Sequence, residues 1–477
     1  MMRKLVMQWL FVALLACPML FTTHIRAEDA VVSNSAESVT PADASAPVAA
    51  VSAPAEAAVT PPAAPAPKID SGDTAWMLTS SALVLLMTPG LAFFYGGLVR
   101  KKNVLSVLMQ CFAIIGLITV QWVLFGYSLA FGPDVKGLIG NLSWFGLKGV
   151  GLDPYPDYSA TIPHQLFMIF QMMFAIITPA LILGAFAERM KFSAFCVFSV
   201  LWATIVYDPI AHWVWGVGGF LRTSGALDFA GGTVVHISAG IAALMAAIVM
   251  GKRQGYPSHT PHPHNLPFAV LGAGLLWFGW FGFNSGSALS SGSLATSAFV
   301  TTHIAAAAAG LSWALMDWIF NSKPTVLGMI SGVVAGLVAI TPASGFVNPM
   351  GALFIGITVS MVCYIFVAFV KPKMGYDDTL DAFGVHGIGG TWGAIMTGFF
   401  ATKTVNSAGA DGFFYGNPAQ VMIQVKAVLI TIVYSAVVSF ILFKVIDLVM
   451  GLRVSESEER IGLDLTQHRE DAYTVIE

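Results

Sequence analysis

The feature that most constrains this chain is a series of long apolar stretches, separated by short polar connections, that begins near Asp73. The hydrocarbon core of a bilayer requires about 20 residues of α-helix. Eleven stretches approach that length: about 75–99, 104–131, 164–187, 193–219, 228–250, 267–288, 294–320, 325–341, 347–370, 383–401 and 420–450. Only 10% of the residues are charged and the mean hydropathy is +0.75, which excludes an ordinary soluble domain. We therefore predict an all-α polytopic membrane protein with eleven transmembrane helices.

The sequence outside these stretches divides into three segments. Residues 1–27 have the pattern of a signal peptide that is cleaved at Ala27, and a lipoprotein-type site at Cys17 is the alternative. Residues 28–69 are rich in Ala and Pro and contain few large side chains, so we predict a disordered linker. The transmembrane domain then covers residues 70–450. The acidic residues 451–477 form a tail, which is either regulatory or simply solvated.

The distribution of Lys and Arg predicts how the chain is oriented. Successive connections alternate between a basic set and a set with few basic residues. The basic set contains Arg100, Lys101, Lys102, Arg189, Lys191, Lys252, Arg253, Lys323, Lys371 and Lys373, and the other contains Lys136, Lys148, Arg222 and Lys403. Basic residues concentrate in cytoplasmic loops. We therefore predict a multi-pass protein of the inner (plasma) membrane, with a periplasmic or extracellular N-terminus and a cytoplasmic C-terminus, which the signal peptide also requires.

Two of the apolar stretches contain related motifs with a histidine at membrane depth. The motif DFAGGTVVHISAG contains Asp228 and His236, and DAFGVHGIGGTWG contains His386. A single buried histidine is commonly structural, but ionisable groups in membrane spans are costly, and two at matching positions favour a function. One motif in each half indicates an internal repeat of five helices, followed by a final helix. Because five is an odd number, the two halves are predicted to be inverted with respect to each other. In that arrangement His236 and His386 meet near the middle of the membrane.

Six longer motifs extend this pattern along the chain. They are PGLAFFYGGLVRKKNVLS (89–106), FQMMFAIITPALILGAFAER (170–189), DFAGGTVVHISAG (228–240), WFGWFGFNSGSA (277–288), DAFGVHGIGGTWG (381–393) and GLRVSESEERIGLDLTQHREDAY (451–473). In this order they resemble the ammonium transporter (Amt/MEP/Rh) family, in its bacterial Amt branch, over about residues 72–475. The resemblance implies a homotrimer with one conduction path in each subunit. It also implies that a PII-type nitrogen signalling protein binds the tail at the cytoplasmic face.

The resemblance further implies an external ammonium site. Phe174, Trp215 and Ser287 would form this site, with Phe170 near its mouth. Aromatic faces attract a small cation, and a serine hydroxyl can accept an N–H hydrogen bond. Asp228 would be the buried acid that ammonium binding requires. Its position before a helix also suits a capping residue that affects the site indirectly.

The remaining implied residues line a path beyond that site. Phe174 and Phe283 would form a stacked aromatic gate, and His236, His386 and Trp280 would line the pore. Moving an intact ion into an apolar pore costs on the order of tens of kcal/mol. Neutral histidine can both donate and accept hydrogen bonds and can pass protons near neutral pH. We therefore expect ammonium to bind outside, lose its proton and cross as ammonia, while the proton follows separately.

Two other classes of function remain open at this stage. The same fold could act as an ammonium sensor that signals through the tail. His236 and His386 could instead hold haem or another metal in an oxidoreductase, but no redox motif accompanies them. We therefore predict a transporter without enzymatic activity, cofactor or metal site. The formal net charge of −3 and the lack of a basic cluster argue against a nucleic-acid partner. The apolar stretches instead predict contact with membrane lipid.

Overall fold

The computed structural model describes residues 67–258 and 262–473. The chain divides into two units, Met1–Pro67 and Lys68–Glu477, and all the described helices belong to the second. The predicted signal peptide and almost all of the predicted linker lie outside the described residues. The alternative lipidation site, Cys17, lies outside them as well.

Each of the eleven predicted stretches contains a helix. The helices are α1 Ser71–Leu98, α2 Lys101–Phe131, α3 His164–Phe186, α4 Phe192–Thr223, α5 Gly232–Met250, α6 Leu266–Gly286, α7 Ser293–Asn321, α8 Val326–Ile340, α9 Pro349–Met374, α10 (Phe383–Gly387 followed by Ile388–Phe400) and α11 Ala419–Met450. Within the described residues, nine of these are long and apolar enough to cross a membrane. The all-α membrane fold is therefore confirmed. The prediction that α8 and α10 also cross the bilayer stays a prediction.

Side-chain caps determine where several helices begin. The side chain of Asp70 accepts the amide of Asp73 at 2.9 Å at the start of α1. Asn265 caps α6, Thr325 caps α8 and Asn348 caps α9 in the same way. These residue types accept hydrogen bonds from the otherwise unpaired amides of a first helical turn, so the helix boundaries are encoded locally.

The connection between α2 and α3 contains the β-structure of the described chain. Strand β1 (Asp134–Val135) pairs with β2 (Ile139–Gly140), and β3 (Pro154–Tyr155) pairs with β4 (Ser159–Pro163), both antiparallel. Each pair is a short hairpin, and the two hairpins contact α1, α2, α3 and α4.

The two halves of the helical bundle pack in a reciprocal way. Helix α1 packs extensively on α6, and the first turn of α5 contacts α10 while the first turn of α10 contacts α5. This reciprocity is expected of two related halves. Glycines permit similar close packing between α7 and α8, because a Cβ on Gly332 would lie 2.5 Å from the Cβ of Trp313.

Connections from the basic set meet at one end of the bundle around a buried carboxylate. Glu188, between α3 and α4, accepts hydrogen bonds from Arg100 at 3.0 Å and from Arg253 at 3.2 Å. Arg253 also pairs with Asp377 at 2.8 Å. Burial raises the pKa of Glu188, but the two arginines outweigh this effect and hold the pKa below its usual value. The connections that follow α1, α3, α5 and α9 are therefore joined by ion pairs.

The acidic tail is attached to this same end. The amide of Lys191 donates to the carbonyl of Leu452 at 2.9 Å, and the amide of Ser106 donates to the carboxylate of Asp464 at 2.8 Å. Between these contacts the tail forms the short helix α12, Glu456–Ile461. The described residues of the tail are therefore attached to the helical bundle, and the regulatory role of the tail stays a prediction.

We predict that Glu188→Ala lowers the free energy of unfolding by about 3 kcal/mol, because it leaves the buried Arg253 without one of its two carboxylate partners. Thermal unfolding in detergent measures the change. The exposed Glu456→Ala is the matched control and should change stability by less than about 0.5 kcal/mol.

The same pair of proteins also tests the pH dependence. Because the folded-state pKa of Glu188 is lowered from 4.5, its contribution is present above pH 4.5 and is lost as pH falls through the folded-state value. The stability difference between wild type and Glu188→Ala should therefore shrink on acidification. Equal differences at pH 7 and pH 3 would contradict this assignment.

Candidate functional site

The two histidine helices begin with equivalent acids. His386 lies 150 residues after His236 (386 − 236) in the sequence. Asp378 lies the same distance after Asp228 (378 − 228), so Asp378 is the counterpart of Asp228 in the repeat. Asp378 accepts the amide of Phe383 at 2.8 Å, at the first turn of α10. Burial raises the pKa of Asp378 to about 6 against the opposing charge of Lys371. Sequence analysis missed Asp378, although the constant offset identifies it.

Asp228 caps the first turn of α5. Its carboxylate accepts the amides of Gly231 at 2.8 Å, Gly232 at 2.6 Å and Thr233 at 2.7 Å, and also the Thr233 hydroxyl. Its own carbonyl accepts the indole N–H of Trp215 at 2.9 Å. The capping interpretation of Asp228 is thus confirmed, and the same residue fixes the position of Trp215.

Both histidines lie in π-helical first turns, which bring them together. His236 is in Gly232–Ile237 and His386 is in Phe383–Gly387. A Cβ on Gly240 would overlap the amide nitrogen of Gly387, so only glycine permits this contact between backbones. The two imidazole rings stack with centroids 5.4 Å apart and planes 22° apart.

The ring nitrogens of this pair are largely unpartnered. Among the described residues, neither nitrogen of His236 has a hydrogen-bond partner, and neither does Nδ1 of His386. Both residues are buried, with exposures of 1% and 4%. Buried polar atoms are nearly always paired, so the unpartnered nitrogens mark a place where a small polar molecule can bind.

An aromatic cluster adjoins the histidines. The rings of Phe174 and Phe283 are 4.2 Å apart, and Phe174 also contacts Phe170 and Trp215 edge to face. The ring of Trp280 stacks on His236 at 5.5 Å. The rings predicted to form the external site and the gate are therefore in mutual contact.

Three cavities follow one another through these residues. The Ser287 cavity, about 190 Å³, is lined by Ser287, Phe174 and Trp215. The histidine cavity, about 10 Å³, is lined by Phe283, Trp280 and both histidines. The Asp381 cavity, about 440 Å³, is lined by Asp381, Val385 and His386. Because Phe174 contacts Phe283, and His386 lines both of the last two cavities, the three form one path.

Not every predicted residue lies on this path. Phe170 supports the ring of Phe174 and Asp228 lies behind Trp215, and neither belongs to the lining of the Ser287 cavity. The lining instead includes Asp157 and Arg222, which sequence analysis did not select. Neither residue falls in a motif, so no sequence signal distinguished them from other charged residues of the connections.

Comparison with known proteins identifies the relatives of this chain. The sequence model of the Ammonium Transporter Family matches residues 75–473. The chain belongs to this family. The ammonium transporter of Bacillus subtilis (strain 168) is 58% identical over 402 residues, which cover 84% of this chain and 98% of that protein. The resemblance inferred from the motifs is confirmed.

Solved structures of ammonium transporter family proteins share the fold. The crystal structure of Saccharomyces cerevisiae Mep2 superposes with a TM-score of 0.76 at 37% identity and covers 82% of this chain and 89% of that one. A protein described as a sensor Amt protein superposes with a TM-score of 0.76 at 30% identity, covering 83% of this chain and 98% of that one. The family member described here is therefore an integral membrane protein with several spans.

We predict that Asp228→Ala lowers the free energy of unfolding by about 2–3 kcal/mol, because several buried amides lose their acceptor together. Asp70→Ala is the matched control, since this exposed cap accepts a single amide and should cost about 0.5–1 kcal/mol. Thermal unfolding in detergent compares the two. Equal losses would show that the Asp228 carboxylate contributes no more than an ordinary cap.

Proposed function

We propose that this protein takes up ammonium across the cytoplasmic membrane. The observation that carries the proposal is the order of the three cavities, from an aromatic pocket through a buried histidine pair to a wider acidic cavity. The similarity to proteins named ammonium transporters supports the same substrate. The reaction moves a solute and its proton and makes or breaks no other covalent bond, so the proposal is for a transporter and not an enzyme.

Ammonium binds first in the Ser287 cavity. The faces of Phe174 and Trp215 attract a cation that has lost part of its hydration. The Ser287 hydroxyl donates to the carbonyl of Phe283 at 2.8 Å, which leaves the lone pairs of its oxygen free to accept an N–H bond. A tetrahedral ion with four donors suits one such acceptor among aromatic faces, whereas a bare alkali cation has no N–H to donate.

The proton leaves before the nitrogen enters the histidine cavity. That cavity holds about 10 Å³, which is room for about one water-sized molecule, so a hydrated ion does not fit. An unhydrated ion in this apolar surrounding would cost on the order of tens of kcal/mol. Ammonia is neutral and can hydrogen-bond to the unpartnered nitrogens of His236 and His386. The stacked rings also provide a separate route for the proton, so net charge crosses.

The assembly and orientation are part of the same proposal. We propose a homotrimer of eleven-span subunits with an external N-terminus and a cytoplasmic tail. The ion pairs that join the basic connections at one end of the bundle support the orientation, because such loops are retained in the cytoplasm. The Ser287 cavity is then external and the Asp381 cavity is cytoplasmic.

A second candidate function is ammonium sensing. The similarity to a sensor Amt protein and the attachment of the tail to the cytoplasmic connections favour it. A sensor would need to bind ammonium in the Ser287 cavity, but it would not need to release it on the other side. Measurement of flux therefore separates the two candidates.

We expect ammonium pulses on proteoliposomes to give a transient current together with ammonia flux, while potassium pulses give neither. In the double variant His236→Ala/His386→Ala the current should disappear or lose its selectivity against potassium, because the widened cavity admits water and hydrated ions. His303→Ala, which removes an exposed histidine of α7, is the control and should behave as wild type.

The outcomes test the role of the histidine pair and distinguish a transporter from a sensor. An unchanged, selective current in the double variant would exclude the histidine pair as the selective element. Neither current nor flux in the wild type, with ammonium binding retained, would favour the sensor.

We also propose that the tail binds a PII-type signalling protein that closes the cytoplasmic exit. Truncation after Arg453 removes α12 and Asp464, and with them the contacts of the tail with Ser106 and Gln254. A pull-down with the truncated chain should lose the partner. Truncation after Tyr473 is the control and should retain it. If the chain truncated after Arg453 still bound the signalling protein, this assignment would be refuted.

A further inference from the structure

The two halves of the repeat differ at one left-handed position beside the histidines. In the first half this position is Gly231, with φ of 119°, and in the second half, 150 residues later, it is Asp381, with φ of 60°. A Cβ on Gly231 would lie 2.6 Å from the side chain of Val235, so the first half has no room for a side chain there. The second half thus carries a carboxylate that the first half lacks.

A lysine accompanies this additional carboxylate. The ammonium group of Lys371 lies 2.6 Å from Oδ1 of Asp381 and 2.6 Å from the carbonyl oxygen of Asp378. The side chains of Lys371 and Asp381 are 15% and 32% exposed, so the pair is accessible. Because Asp381 and His386 line the same cavity, the lysine sits at the exit of the path.

Within the part of the first half that the structure describes, no cation pairs with the equivalent acid. Among the described residues Asp228 takes part in no ion pair within 4 Å, and its carboxylate is occupied by backbone amides and a hydroxyl. Arg222 lines the adjacent Ser287 cavity, but it donates to the carbonyl of Trp215 at 2.5 Å. The repeat is therefore electrostatically unequal, with a paired carboxylate at one end of the path only.

We propose that Lys371 is a tethered counter-cation that occupies the place where a newly formed ammonium ion would otherwise bind the carboxylate of Asp381 and the carbonyl oxygen of Asp378. The inference rests on the proposed function. Ammonia that passes His386 regains a proton in the Asp381 cavity, and a free Asp381 carboxylate there would hold the resulting cation. The ε-ammonium group of lysine has the same donors as the substrate, and its attachment to the chain gives it a high effective concentration. Lys371 therefore favours release at this end.

The other acid of the Asp381 cavity is already occupied by neutral donors. Asp317 accepts the side-chain amide of Asn321 at 3.1 Å and the hydroxyl of Thr325 at 2.5 Å. These partners do not include Lys371, so Asp317 is not freed when Lys371 is changed. Lys371 thus balances the charge of the Asp381 carboxylate and leaves the rest of the lining as it is.

The experiment compares the two ends of the path in the reconstituted full-length protein. The half-saturating ammonium concentration for current is measured with ammonium chloride added to the tail side or to the opposite side of vesicles of known orientation. Lys371→Met should lower the half-saturating concentration about fivefold when ammonium is added to the tail side, because one partly exposed ion pair is lost. The half-saturating concentration on the opposite side should not change. Lys373→Met, which changes an exposed lysine two residues further along α9, is the matched control.

A second variant separates the proposed charge effect from a structural one. Lys371→Met/Asp381→Asn removes both charges and should restore the wild-type value on the tail side, and Lys371→Arg should retain it. A structural role for the ion pair would leave the double variant impaired. Wild-type values for Lys371→Met on both sides, or no restoration in the double variant, would overturn the proposal.

Equilibrium binding tests the inference without transport. Titration of the purified proteins with ¹⁵N-labelled ammonium chloride should reveal one additional bound ion in Lys371→Met compared with wild type and Lys371→Arg. If the wild-type protein carried no current, the proposed function would be refuted but the role of Lys371 would not, because the titration would still report the additional site in Lys371→Met. An identical number of bound ions in all variants would refute the role of Lys371.

Discussion

The contact between the backbones of α5 and α10 is the constraint on which the rest of this structure depends. Gly240 meets Gly387, and a Cβ on Gly390 would lie 2.9 Å from the Cβ of His236, so both crossings require glycine. Because the two backbones are this close, the first turns of α5 and α10 lie side by side, and His236 and His386 stack. Those first turns are buried, so their amides need acceptors within the protein, which Asp228 and Asp378 supply.

The sequence was sufficient to predict the helices and the pairing of the histidines. Apolar length alone located the helical stretches, because a backbone in lipid has to satisfy its own hydrogen bonds. The repeated Val-His motif indicated that His236 and His386 face each other. The motifs do not reveal Asp378, because the second motif begins at Asp381 and Asp378 lies three residues before it.

Other features depend on three-dimensional contacts that no local pattern encodes. The tail is acidic, and its charge alone fits either a solvated or an attached segment. Its attachment depends on particular groups, such as the amide of Leu463 that donates to the side chain of Asn103 at 2.8 Å. Asn103 in turn donates to Glu188 at 3.0 Å, so one asparagine joins the tail to the buried ion pairs. The volume of the histidine cavity is likewise a property of packing and not of any one residue.

For the proposed transport, the narrowness of the histidine cavity has a consequence for the kinetics of movement through the protein. A space of about 10 Å³ between Phe283 and His386 holds one molecule at a time. Molecules that travel in opposite directions cannot pass each other there, so they move in single file. The inward and outward one-way fluxes are then not independent, and a molecule entering from one end delays every molecule entering from the other.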